Sequence, residues 1–195
     1  QRLLDHDRLV EACTTLAVDH LESAGRAGFD RALAMVRWTA ESDGNPRLRW
    51  WSATMSAGAA LLDGDVDAAM RHRSVALSLG ESHDLPGWIP AEVLLAAEMA
   101  FETGDEHELR GFLVPTDTPI LRSPIARSTV ALIAARFGDT ASAAHHAEIA
   151  FRAVDEESSY LLCLTLLARA AVESGDTSLA AACEGADLVH SHTWY

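Results

Sequence analysis

Gly64-Asp65-Val66-Asp67-Ala68-Ala69 is the stretch that decides the fold, because the chain writes it three more times. The echoes are Gly104-Asp105-Glu106-His107-Glu108-Leu109, Gly138-Asp139-Thr140-Ala141-Ser142-Ala143 and Gly175-Asp176-Thr177-Ser178-Leu179-Ala180. The four glycines lie 40, 34 and 37 residues apart. Each follows an Ala-rich apolar run and precedes another run of helical periodicity. Glycine supplies the backbone freedom of a turn, and the aspartate beside it suits the positive end of the helix that follows. A Gly-Asp recurring at about 34 residues is the mark of stacked helix pairs.

Working outward from the first copy, one helix is expected over Leu48–Leu62 and its partner from Val66 to about Leu79, ended by Gly80. Pro86-Gly87 and Pro90 form a connector. The second copy pairs a helix over about Ala91–Glu102 with a short one interrupted by Gly111 and Pro115. Val114–Pro124, with three prolines, reads as the most loop-like part of the chain. Further pairs are expected over about Ile125–Phe137 with Thr140–Val154, and Ser159–Ser174 with Thr177–His190. Toward the N-terminus, Leu3, Leu4, Leu9, Val10, Cys13, Leu16, Ala17 and Leu21 keep a 3.6-residue period, broken by Gly25 and Gly28. A second helix there runs from about Phe29 to Glu41 and stops at Gly44-Asn45-Pro46. Ala27-Gly28-Phe29-Asp30-Arg31-Ala32 reads as a weakened copy of the turn. The segments are a weak repeat over about 7–42 and repeats over about 48–80, 90–113, 124–154 and 160–190, forming one domain over 1–195. The chain begins inside a helical pattern and reads as part of a longer protein.

Counted from the glycines, small residues recur in register. Seven positions before stand Ala57, Ala97, Ala131 and Ala168; five after stand Ala69, Leu109, Ala143 and Ala180. Twelve after stand Ala76, Thr116, Ala150 and Asp187. On these residues the chain resembles the tetratricopeptide repeat family over most of residues 16–190, in a degenerate form. Alanines at Ala60, Ala100, Ala134 and Ala171 replace the bulky aromatics usual in that family. The resemblance implies an all-α, right-handed solenoid of antiparallel helix pairs.

Composition limits what such a chain does. A net charge of −14, from 29 acidic and 15 basic residues, repels phosphates and anionic lipid, so no direct nucleic-acid contact and no membrane are expected. All basic residues are arginine, which excludes Schiff-base and phosphate-gripping lysines. The three cysteines Cys13, Cys163 and Cys183 make no disulfide framework, and with no apolar run of about 18 residues the expected location is cytoplasmic.

No catalytic or metal constellation emerges. Asp63, Asp65 and Asp67 are followed at once by a helix, so they read as capping acids rather than a calcium loop. Asp105-Glu106-His107-Glu108 points around a helix rather than along one face, and the adjacent His145-His146 cannot share a face. His190 and His192 make two ligands, too few for a closed site. Cys163 lies among Leu161, Leu162, Leu164 and Leu166, where an inert thiol is expected. Neither cofactor nor metal is expected.

What remains is a surface. The resemblance implies that the first helix of each pair lines a concave groove. It carries binding roles onto Trp51 and Thr54 in the first clear repeat, and Leu94, Glu98 and Glu102 in the next. Ser128 and Arg136 follow in the third, and Thr165, Arg169 and Glu173 in the last. The lining is mixed and lacks the matched basic row of the family's carboxylate clamp. Trp38, Trp50, Trp51 and Trp88 fall within one stretch, either as core or as a recognition patch. Gly-Asp turns, arginine without lysine, and Ala76-Leu77-Ser78-Leu79-Gly80 are similar in texture to the helical repeat region of actinobacterial LuxR-type and related signal-transduction ATPase transcriptional regulators. That resemblance implies a non-catalytic regulatory module binding a protein, a peptide or a small effector. A second reading is a self-assembly scaffold or homodimer joined through the solenoid ends, because Leu188, Val189 and Trp194-Tyr195 do not resemble a polar cap.

Overall fold

The structure is a computed structural model that describes residues 25–113, 119–153 and 160–192. The helix expected over 3–24, together with Cys13, Thr116 and Trp194-Tyr195, lies outside the described residues. Among those described, every regular element is helical. The helices are α1 (Arg26–Asp43), α2 (Pro46–Leu62), α3 (Val66–His83), α4 (Trp88–Thr103), α5 (Glu106–Gly111), α6 (Pro124–Arg136), α7 (Thr140–Ala153), α8 (Tyr160–Ser174) and α9 (Thr177–His192). A 3₁₀ turn over Pro119–Arg122 precedes α6. The chain divides into two compact units, Gln1–Leu95 and Ala96–Tyr195, with the boundary inside α4.

The four Gly-Asp strings fold into one repeated joint. Gly64, Gly104, Gly138 and Gly175 have φ of 72, 70, 76 and 71°, a left-handed conformation that only glycine enters without steric cost. In each joint the aspartate N–H donates back to the carbonyl five residues earlier, on Ala60, Ala100, Ala134 and Ala171, at 2.9–3.0 Å. These bonds satisfy carbonyls that the ending helix leaves open. The aspartate side chain then turns forward. Asp65 Oδ1 accepts from the Ala68 N–H, Asp105 Oδ1 from Glu108, Asp139 Oδ1 from Ser142 and Asp176 Oδ1 from Leu179, at 2.9–3.0 Å. One residue pair therefore closes one helix and opens the next. The bond from Ser142 also holds the Asp139 carboxyl below the usual carboxylate range.

Two turn readings need correction. Gly28 lies inside the first turn of α1, its N–H bonded to the Gly25 carbonyl, so Ala27–Ala32 is helix and not a copy of the joint. Gly80 does not end α3; the helix runs on to His83 and is capped by Asp84 in the left-handed region. Gly80 is buried, and its missing side chain makes room for Trp88. At Gly44-Asn45-Pro46 the expected stop is present. Gly44 takes φ 68°, Asn45 accepts from the Arg47 N–H, and Pro46 opens α2, where a missing N–H costs nothing.

In the first unit, Phe29, Ala32, Leu33 and Val36 of α1 pack against Met55 and Ala59 of α2. Trp50, Ala53 and Ala76 form a further cluster with Leu79, Leu85 and Trp88. Trp51 packs against both of these clusters and against Ala40 and Leu48. In the second unit, Ala97, Ala100, Leu109 and Ile133 gather Phe101, Phe112, Leu113 and Phe137 around them. Helix α6 is buried along almost its whole length and packs on α7, α8 and the 3₁₀ turn.

The register alanines are the contact points. Seven before the glycine, Ala57, Ala97 and Ala131 are fully buried; five after, Ala69, Leu109 and Ala143 are buried too. Small side chains at most of these points let the helices approach closely, with Leu109 the larger exception, so sequence period and packing coincide. The last copy departs from the pattern, with Ala168 half-buried and Ala180 exposed.

Candidate interaction surface

The groove positions divide by copy. In the first unit, Trp51 and Thr54 are half-buried on α2, while Leu62 at its end is exposed. Trp51 is the hub of three apolar clusters, so it acts as core in the first place. Trp38 is 70% exposed and faces solvent. Nothing in the helical period singled it out, because one large apolar residue on a polar face is common.

In the second unit, two of the positions expected to line a groove are joined by an ion pair. Glu98 of α4 and Arg169 of α8 occupy the same repeat position, six before their glycines, and Arg169 Nη1 donates to Glu98 Oε1 at 2.7 Å. Leu132 holds that position on α6 and is fully buried. The Arg169 guanidinium also lies over the Phe101 ring, 5.6 Å from its centre, where the ring face favours a cation. Arg136 and Glu173 approach to 3.4 Å. Leu94 is half-buried and Glu102 exposed.

Ser128 does not line a surface. It is fully buried, because α6 is covered by its neighbours where the equivalent faces of α2 and α8 are not. Its hydroxyl is unusual. Ser56, Thr129 and Ser174 donate to the carbonyl four residues back in their own helices, as buried helical hydroxyls do. Ser128 Oγ and Thr54 Oγ1, both ten before a glycine, are buried without a hydrogen-bond partner. Beside Arg169 lies a shallow depression of about 420 Å³ lined by Thr165, Ala168, Arg169, Val172 and Glu173. Val172 in it is 80% exposed.

Among the described residues no three His, Cys, Asp or Glu side chains come together as a metal would need, and no helix is long and apolar enough to cross a membrane. Cys163 and Cys183 are buried, and burial pushes the Cys183 thiol above its ordinary pKa, away from the reactive thiolate. Where α7 places buried Ala147 nine after its glycine, α9 places exposed Glu184, and the position twelve after is Asp187 in place of Ala150.

No protein-family model matches the chain, and neither a curated protein nor a solved structure matches it.

Proposed function

We propose that the chain is a non-catalytic, tetratricopeptide-like binding module, a right-handed array of antiparallel helix pairs whose first helices offer a recognition surface to a protein, a peptide or a small effector. The observation that supports this most directly is the joint built four times with one hydrogen-bond set. Repetition of that kind makes an extended surface rather than an enclosed catalytic pocket. On this reading the residues available to a partner are Leu94, Glu98, Glu102, Arg136, Thr165, Arg169 and Glu173. Trp51 and Ser128 belong to the cores of the first and the second unit respectively. The textural likeness to regulator repeat regions suggests a sensor or interaction arm of a transcriptional regulator, with ATPase and DNA-binding parts supplied by other segments.

The test compares a partner's binding to the wild-type chain and to Arg169→Ala and Leu94→Ala, with helicity followed by circular dichroism. Binding lost in both variants at unchanged helicity supports the groove. Undiminished binding by both rejects it.

A further inference from the structure

Arg127 breaks the repeat. Eleven positions before the glycine the other copies carry Ala53, Val93 and Leu164, all buried and apolar. The third copy places a guanidinium there, and its Nη1 is buried with no hydrogen-bond partner. His146 lies on α7, the helix packed against α6, and is buried, its Nδ1 also without a partner. Its neighbour His145 stacks edge-on, with ring centres 5.5 Å apart. The charges acting on His146 are Arg127 and His145, which oppose its protonation, and Asp139, which favours it. Asp139 is already engaged in capping α7. In a chain of charge −14, two buried nitrogens without a hydrogen-bond partner, one on α6 and one on α7, are out of keeping with their surroundings. A buried guanidinium nitrogen left unpaired is costly, and the least costly remedy is an anion.

We propose that Arg127 and His146 form a binding site for a small oxyanion within the third helix pair, gripped by Arg127 Nη1–H and by a ring N–H of His146. Arg127 itself is only partly buried, which leaves the site a way in from solvent. A metal cation is repelled by the guanidinium, and a neutral ligand leaves its charge uncompensated. The bound anion favours the protonated imidazole, so binding tightens as pH falls toward the histidine's titration range. Arg127 is not one of the groove positions, and the site stands whether or not the groove binds a partner.

The experiment titrates the intact chain with inorganic phosphate and, separately, acetate, each against chloride at equal ionic strength. The His146 ring resonance is followed by NMR between pH 5.5 and 8, and thermal midpoints are recorded in parallel. Saturable perturbation of His146, an upward movement of its pKa and a rise in midpoint beyond that in chloride are expected. A response to phosphate alone assigns a phosphoryl ligand, and a response to both assigns the oxyanion class including carboxylates. Arg127→Leu, which restores the residue type of the other copies, should fold and lose at least about tenfold in anion affinity, the worth of a charge-assisted hydrogen bond. Arg127→Lys, which keeps the charge but not the planar donor set, should retain part of the response. Equal effects of phosphate, acetate and chloride on the wild type overturn the proposal. An undiminished phosphate response in Arg127→Leu overturns it as well.

Discussion

Gly80 and Trp88 are packed so closely that a Cβ on the glycine would sit 2.7 Å from the Trp88 Cβ and 2.9 Å from its Cγ. The two residues sit on consecutive helices, and the atoms met are the root of the indole side chain, which cannot swing aside. Gly80→Ala is therefore expected to destabilise the first unit by about 1–3 kcal/mol, although alanine is the better helix former. Urea unfolding followed by tryptophan fluorescence measures this, and a neutral or stabilising result would show that the helices separate freely.

The same register position is buried at Ala143 and exposed at Ala180. Ala143→Leu should cost about 1–3 kcal/mol by overpacking, while Ala180→Leu should be nearly neutral. Equal midpoints for the two variants in thermal denaturation would refute the register itself.

Each joint aspartate caps the helix that follows it. Replacing Asp65, Asp105, Asp139 or Asp176 by alanine should cost about 0.5–2 kcal/mol each, read as a lowered urea midpoint. Asparagine, which keeps the acceptor oxygen, should recover most of the loss at each joint.

The Arg169–Glu98 bridge is substantially exposed, so a double-mutant cycle with Arg169→Ala and Glu98→Ala should give a coupling of only about 0.2–1 kcal/mol, shrinking with salt. A coupling of several kcal/mol would mean that the bridge holds the unit shut.

Burial, reinforced by Arg127, lowers the pKa of His146 from its unfolded value of 6.5. Between the folded and unfolded values the unfolded chain binds more protons. The contribution to stability is thus complete above about pH 6.5 and is lost as pH falls through the folded pKa. His72, lowered by burial and by Arg37 and Arg71, acts in the same direction. Urea midpoints at constant ionic strength in chloride should fall from pH 7.5 to 5. His146→Leu should flatten that fall, and an unchanged slope in the variant would exclude His146 as its cause.

Most helix positions were legible because glycine and proline punctuate the chain and alanine keeps the register. The joint was legible down to the role of each residue. What misled was the context of single glycines. Gly28 and Gly80 look like stops, yet one sits inside a helix and the other serves a close contact, and only the neighbouring helix reveals the difference. Side chains at groove positions were read as if all copies were equally exposed. Burial of Ser128 depends on how α6 is enclosed, a tertiary fact that no local pattern carries. Arg127 was legible in the sequence as an exception among Ala53, Val93 and Leu164, but the register drew attention to its regular positions instead.

Because every joint uses the same glycine, the same aspartate and the same backbone bonds, the segment between two joints is a self-contained cassette. Duplicating or deleting one leaves both flanking connections chemically unchanged, so length can change by whole repeats without new ends being devised. Such a chain can evolve by copying first and specialising afterward. Arg127, standing in the third copy where the others carry Ala53, Val93 and Leu164, is what such specialisation looks like.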